Sequence, residues 1–260
     1  MKTNLVALIT GSTSGIGLGI AKVLASRGCH LMLHGLASPE EIGHLKEIFE
    51  RDYQVNVRFS SLDLRTPGAA GQLVLETERE LGKLDILINN AGIQHVAPLE
   101  SFTREKWDAV MAINLSSAFD AIGAALSGMK ARGYGRIINI ASAHGLVASV
   151  NKAAYVSAKH GLIGLTKVTA LETAGTGVTC NAICPGWVKT PLVEKQIEAR
   201  AKTGGIPIAQ AERDLLLEKQ PSGQFTTPEQ IGEFVAFLCS EAAANITGSS
   251  LPMDGAWTAV

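Results

Sequence analysis

Tyr155 and Lys159 stand four residues apart in a segment whose pattern predicts a helix from about Ala153 to Glu172. Side chains at that spacing share one helix face. A free phenol has a pKa of about 10. A cation held beside it favours the phenolate and lowers that value. The pair therefore has the makings of an acid/base able to work nearer neutral pH. Spacing alone also fits two amphipathic side chains that merely cover a helix surface.

A hydroxyl and a phosphate turn strengthen the chemical reading. Ser142 lies thirteen residues before Tyr155, just past the apolar run Arg136–Ala141. A hydroxyl at a strand end can hold a substrate oxygen, or serve only as a turn residue. Near the N-terminus, the run Leu5–Thr10 is followed by Gly11-Ser-Thr13-Ser-Gly15-Ile16-Gly17 and then a helical pattern from Leu18 to Arg27. Glycines between a strand and a helix N-terminus let an anion approach free N–H groups and the positive end of the dipole. The order is Gly-x-x-x-Gly-x-Gly, and its place after a strand points to a dinucleotide.

The elements that must position these groups alternate along the whole chain. Strands are expected at Leu5–Thr10, His30–His34, Val55–Phe59, Leu84–Ile88, Arg136–Ala141, Gly177–Cys184 and Ser249–Met253. Their near-continuous apolar character suits a parallel sheet covered on both faces. Helices are expected between them. Ser38, Pro39 and Glu41 form a capping-box signature. Another helix runs from about Pro67 to Leu81, and one from Trp107 to Gly123 carries Asn114 in its middle. Asn is a poor helix former. Its place among apolar neighbours suggests either a bound water or ordinary core hydrogen bonding. One doubly wound α/β domain over residues 1–260 accommodates all of this. The polar, helical stretch from about 190 to 223 is broken at Thr203–Pro207 and reads as a lid over substrate or as a surface helix pair.

Composition narrows the classes. The 260 residues are 46% hydrophobic and 18% charged, with a net charge of -1, which suits a large buried core and gives nucleic acid no basic stripe to bind. No signal peptide or long apolar span is evident, so a cytoplasmic protein with no membrane partner is expected. Cys180 and Cys184 lie on one expected strand, roughly 13 Å apart, too far to share an ion. Cys29, Cys180, Cys184 and Cys239 are expected to be free and buried, with no metal site.

The cofactor can be narrowed too. His30–His34 leads into Gly35-Leu36-Ala37-Ser38, which has no acid for ribose hydroxyls and no cation for a 2′-phosphate. The missing cation favours NAD over NADP. Asp63, in Ser61-Leu-Asp63-Leu64 after the third strand, either reaches the adenine or caps a turn. Asn89-Asn90-Ala91-Gly92 after the fourth strand suggests a second close approach to cofactor. Pro185-Gly186-Trp187 marks a sharp exit from the sixth strand.

Thr10–Gly17, Asn89–Gly92, Asn114, Ser142, Tyr155-x-x-x-Lys159 and Pro185-Gly186 occur in this order over essentially the whole chain. The set closely resembles the short-chain dehydrogenase/reductase family. That resemblance implies a Rossmann-type sheet of about seven parallel strands, often in a homotetramer. It implies hydride transfer with nicotinamide. Tyr155 would be the general acid/base, and Ser142 would hold the same substrate oxygen. Lys159 would lower the Tyr155 pKa and bind the ribose, and Asn114 would hold a relaying water. Cofactor contacts are implied at Gly11, Thr13, Gly15, Ile16, Gly17, Leu36, Asp63, Leu64, Asn90, Ala91, Gly92, Tyr155, Lys159, Pro185, Gly186, Val188 and Thr190. The absent acid after the second strand departs from the family pattern.

A narrower resemblance, to family members acting on short 3-hydroxy acids, rests on Gly92–His95, Ala141–Val147, Lys152, Trp187, Thr190–Gln196 and Trp257. It implies oxidation of (R)-3-hydroxybutyrate to acetoacetate and the reverse. A carboxylate near the reacting carbon needs donors. Gln94, His144, Lys152 and Gln196 can supply them, and Trp187 and Trp257 can wall a methyl pocket. The alternatives are a 3-oxoacyl-carrier or sugar-alcohol reductase of the same family, and a nucleotide sensor without catalysis.

Overall fold

The computed structural model describes residues 4–259. Seven strands form one sheet, in the order β3-β2-β1-β4-β5-β6-β7. They are β1 (Val6–Ile9), β2 (His30–His34), β3 (Val57–Ser60), β4 (Ile86–Asn89), β5 (Gly135–Ile140), β6 (Val178–Pro185) and β7 (Ser250–Met253). Every pairing is parallel. The fold is the expected Rossmann-like α/β architecture.

Alternation along each strand feeds two cores. In β1, Ala7 and Ile9 join Ile20 and Leu24 of α1 (Gly15–Ser26), Phe49 of α2 (Pro39–Tyr53), and Ile231 and Val235 of α9 (Pro228–Leu238). Leu8 points the other way. It joins Leu73 and Val74 of α3 (Ala69–Leu81) and Ala121 and Ala125 of α5 (Ser117–Ala131). Leu8 and Ile9 have no accessible surface. Each such side chain contributes about 1.5–3 kcal/mol by burial.

Caps set the helix starts. Ser38 and Glu41 close the expected capping box on α2, and Thr227 and Gln230 close another on α9. The helix expected at Trp107–Gly123 proves longer and broken. It comprises α4 (Arg104–Met111), a π-helical turn (Ala112–Ser116) and α5. By length and composition the 28-residue stretch Arg104–Ala131 is apolar enough to cross a membrane, contrary to the expectation of no such run. Here 33% of its apolar window is buried inside the protein. Ala118, Ala121, Ile122, Ala125 and Met129 are buried against α3, α6 (Ala153–Glu172) and the sheet.

The chain winds outward from β1 to β3, then returns to place β4 beside β1. That reversal opens a crevice at the carboxyl ends of the strands, where α/β sheets bind ligands. Beyond β6, α7 (Pro191–Gly204) and α8 (Ile208–Leu217) pack on each other through Val193, Ile197, Ala201, Ala211 and Leu215. The four cysteines are free and buried, as expected. Among the described residues no cluster of His, Cys, Asp or Glu can hold a metal ion.

Candidate active site

A cavity of about 860 Å³ occupies the crevice. At one end it is lined by Gly11, Thr13, Gly15, Ile16, Leu36, Asp63 and Leu64, and in its middle by Asn90, Ala91, Gly92, Pro185, Gly186, Val188 and Thr190. At the other end stand Gln94, Ser142, His144, Lys152, Tyr155, Lys159, Trp187, Gln196 and Trp257. Two of the expected site residues, Gly17 and Asn114, do not line it.

Gly17 lies beneath the turn. Any Cβ there would press on the Gly11 carbonyl and come within 2.6 Å of the Asn90 amide nitrogen. Asn90 Nδ2 donates to the carbonyls of both Thr10 and Gly11, at 2.9 Å each. Gly11 and Gly15 both have positive φ, 64° and 54°, which glycine adopts without strain. The Ser14 side chain does not cap α1, and α1 has no acid in its first turn. Its orphan N–H groups and dipole face the cavity ready for an anion. Gly17→Ala is expected to cost about 1–3 kcal/mol by overpacking, lowering Tm by about 2–4 °C per kcal/mol. Gly164→Ala, on α6 with nothing within 4 Å of a new Cβ, is expected to leave Tm level or raise it. Thermal unfolding of both variants checks this.

Asn114 sits in the π turn and is buried. Its Oδ1 accepts from Ile93 N–H at 2.8 Å and its Nδ2 donates to Ile93 O at 2.9 Å. The amide thus holds the loop between Gly92 and Gln94 in place. Those two bonds are core hydrogen bonding, one of the two roles weighed for it.

Tyr155 and Lys159 do share one face of α6. Lys159 is buried and donates to Ile140 O at 2.7 Å, tying α6 to the end of β5. Its Nζ lies 5.6 Å from the Tyr155 ring centroid. Burial brings the Lys159 pKa down to about 8, with Cys184 opposing. Burial also raises the phenol of Tyr155, and a hydrogen bond with the Ser142 side chain opposes the rise. The spacing of the pair predicts the opposite, a phenol brought down by Lys159. In this structure desolvation of the buried phenol outweighs the opposing bond from Ser142.

Ser142 Oγ accepts from His144 N–H at 3.1 Å, starting the short turn Ala143–Gly145. His144 Nε2 lies 2.8 Å from Ser149 Oγ, and its ring stands edge-on to Tyr155 and to Trp257, at 6.0 and 5.1 Å. Burial, reinforced by Lys152, Lys219 and His160, depresses its pKa to about 4. His144 is therefore neutral near pH 7. The Trp187 and Trp257 rings lie 6.1 Å apart, and both line the cavity. Lys152, at the N-terminal boundary of α6, is half-buried, and burial followed by Lys219 lowers its pKa. It makes no ion pair among the described residues. A cation with no ion pair among the described residues thus lines the same cavity as the phenol, together with Gln94, His144 and Gln196. That arrangement can bind a small anion and move a proton at a neighbouring oxygen.

Asp63 caps a turn, one of the two roles open to it. It lines the cavity, and it also accepts from Arg65 N–H at 2.9 Å and pairs with the Arg65 guanidinium. Those bonds hold its carboxyl down to about 2.

Three supporting roles escaped the reading of the sequence. Thr10 Oγ1 accepts from the N–H groups of Asn90 and Ala91, at 2.9 and 3.0 Å, joining β1 to the loop after β4. Buried Gln220 accepts from Trp187 N–H at 2.8 Å and donates to Gln224 O. Asp254 accepts from Ala256 N–H, Thr258 N–H and Thr258 Oγ1, capping the turn that carries Trp257. Of these, only Asp254 has a local signal, an acid just ahead of a glycine at a turn.

Comparison with known proteins agrees with this construction. Residues 5–201 match the family model described as short chain dehydrogenase. The chain is 54% identical to the D-beta-hydroxybutyrate dehydrogenase of Cupriavidus necator over 253 residues, covering 97% of each. It is 48% identical to the enzyme of the same name from Rhizobium meliloti, covering 97% of this chain and 98% of that one. Among solved structures, L-sorbose reductase from Gluconobacter frateurii, complexed with NADPH and L-sorbose, superposes with a TM-score of 0.94 at 29% identity, over 99% and 98% of the two chains. A single-site variant of actinorhodin polyketide ketoreductase, with NADPH, gives 0.90 at 33% identity over 100% of both. With its glycine turn, its Ser142–Tyr155–Lys159 set and a match along nearly its entire length, this chain belongs to the short-chain dehydrogenase family.

Proposed function

We propose that this protein interconverts (R)-3-hydroxybutyrate and acetoacetate with NAD as its hydride carrier. The observation that carries the substrate is Lys152, a cation without a carboxylate partner among the described residues, beside Tyr155 in a cavity that also presents Gln94, His144 and Gln196. A 3-hydroxy acid places a carboxylate two carbons from its hydroxyl carbon. It would put that carboxylate on Lys152 and the amides while its oxygen meets Ser142 and Tyr155. The names of the two relatives from Cupriavidus and Rhizobium support the same substrate.

The residues present fit a dinucleotide. The glycine turn and the uncapped α1 N-terminus would hold the pyrophosphate. Leu36, Asp63 and Leu64 would border the adenosine, and Lys159 the nicotinamide ribose. Among the described residues no lysine or arginine lines the adenosine end, and Asp63 is ionised there. A 2′-phosphate would meet a carboxylate and no free cation, which supports NAD over the NADPH of the structural neighbours. When bound, the nicotinamide supplies the hydride acceptor or donor.

Tyr155 takes the proton from the substrate hydroxyl in oxidation and returns it in reduction. Ser142 donates to that oxygen and fixes its place. Lys159 holds Tyr155 near the end of β5 and stabilises the phenolate. Asn114 keeps the loop at Ile93 and Gln94 in position. The pair α7–α8 acts as the lid, bringing Gln196 over the substrate.

Paired substrates test the carboxylate reading. NADH formation is expected from 3-hydroxybutyrate and to fall by about tenfold or more in kcat/KM with its methyl ester, which keeps the hydroxyl and lacks the charge. Equal turnover of acid and ester would count against the proposal.

A further inference from the structure

His34 ends β2, where many dinucleotide folds carry the acid for the ribose. It is 4% exposed, whereas Leu36 beyond it is 71% exposed. The His34 ring is fastened on both sides. Nδ1 accepts from Gly11 N–H at 3.2 Å, and Nε2 lies 2.8 Å from Leu62 O. Its backbone is fastened as well: His34 O accepts from Ser12 N–H at 2.8 Å and His34 N–H donates to Ser12 Oγ at 2.9 Å. Gly11, His34 and Leu62 all line the cavity. One imidazole therefore spans the phosphate turn after β1 and the loop after β3, which leads to Asp63 and Leu64.

This geometry demands one protonation state. Nδ1 faces an N–H and must be bare, and Nε2 faces a carbonyl and must carry the hydrogen. A second proton on Nδ1 would set two donors against each other and push the Gly11 turn away. The charged groups around the ring are Asp63, after β3, and Glu76, on α3. Both favour the cation, but Asp63 is bound by Arg65 and Glu76 accepts from Ser60 Oγ at 2.8 Å. The β1 turn, Gly11 to Gly15, contributes no charged side chain. Burial prevails and depresses the His34 pKa from its ordinary value.

We propose that His34 is the positioning residue for the adenosine half of the dinucleotide, and that protonating it weakens cofactor binding. This inference rests on reading the cavity as a dinucleotide site. His34 holds Gly11 and Leu62 at the separation the cofactor needs, a task that an acid on the ribose would otherwise share.

The test is NADH binding to the full-length protein, followed by nicotinamide fluorescence from about pH 8 to about pH 5, for wild type and for His34→Asn. Wild-type affinity is expected to fall as pH drops below the His34 pKa of the free protein, which burial places under the ordinary value of about 6.5, by up to about tenfold per pH unit for one proton. The asparagine amide of the variant can still accept from Gly11 but cannot titrate in this range. His34→Asn is expected to lose this acid limb. The same limb in both proteins, or none in wild type, would overturn the proposal. Failure of wild type to bind NADH at any pH would instead overturn the cofactor reading beneath it. Nitrogen-15 NMR of the wild-type ring keeps the test independent of the variant's folding. A hydrogen on Nε2, and a lower ring pKa with NADH bound than without, is expected. A hydrogen on Nδ1, or an unchanged pKa, would refute the role.

Discussion

Replacing Tyr155 with phenylalanine is expected to lower kcat by about 10²–10⁴-fold while NADH binding changes little. The ring and its packing remain, and only the hydroxyl goes. That hydroxyl is the titratable group within reach of Ser142, and the other candidates are poorly suited. His144 is held neutral, with a pKa of about 4, and its Nε2 is engaged by Ser149. Lys159 donates to the Ile140 carbonyl, with its Nζ 5.6 Å from the Tyr155 ring centroid. The direction of the Tyr155 shift gives this prediction a pH signature. Oxidation needs the phenolate, and burial raises the phenol above its ordinary value. Wild-type oxidation should therefore climb steadily as pH rises through neutrality, whereas reduction, which uses the protonated phenol, should not. The residual activity of Tyr155→Phe should lack that climb. Steady-state rates in both directions across pH supply the measurement. A variant retaining wild-type kcat would remove Tyr155 from the chemistry.

Replacing Lys152 with alanine is expected to cost the acid substrate about 2–3 kcal/mol, or about 10²-fold in kcat/KM, mostly through KM. The charge-assisted bond to the carboxylate disappears, and the neutral donors Gln94, His144 and Gln196 do not replace a charge. Lys152 makes no salt bridge among the described residues, so its removal leaves no carboxylate of the protein stranded there. Its desolvation is a cost already carried by the folded state, visible as a lowered pKa. Stability should consequently hold or rise slightly. The methyl ester provides the internal control, since it should lose little on this substitution. Equal losses for acid and ester would mean that Lys152 shapes the pocket rather than pairing with charge.

The residues nearest the chemistry were legible because their types are unusual where they stand. A Tyr–Lys pair at helical spacing, glycines between strand and helix, and a lysine just before the helix of the pair each carry a physical signature. The helix Ala153–Glu172 and the strand His30–His34 run between the bounds expected of them. The edges of the other strands shift by a residue or two, as hydrogen bonding rather than apolar character decides them.

What stayed hidden depends on distant parts of the chain. The π turn at Ala112–Ser116 interrupts an apolar pattern that reads as one continuous helix, and Asn114 alone hints at it. Its amide serves Ile93, twenty-one residues away. Gln220 gains its role only when Trp187 and Gln224 are brought against it. His34 reads as the end of a strand, and its two ring partners come from two other strand ends. The sign of the phenol shift is not legible either, because helical spacing brings Lys159 close without revealing how deeply both groups are buried.

The central claim is catalysis of hydride transfer from (R)-3-hydroxybutyrate to NAD. The most direct measurement mixes the purified protein with NAD and each hand of 3-hydroxybutyrate and follows near-ultraviolet absorbance. Steady NADH formation with the (R) acid, and little with the (S) acid, is the expected result. Absence of NADH from either hand, in a preparation that still binds NADH, would contradict the claim.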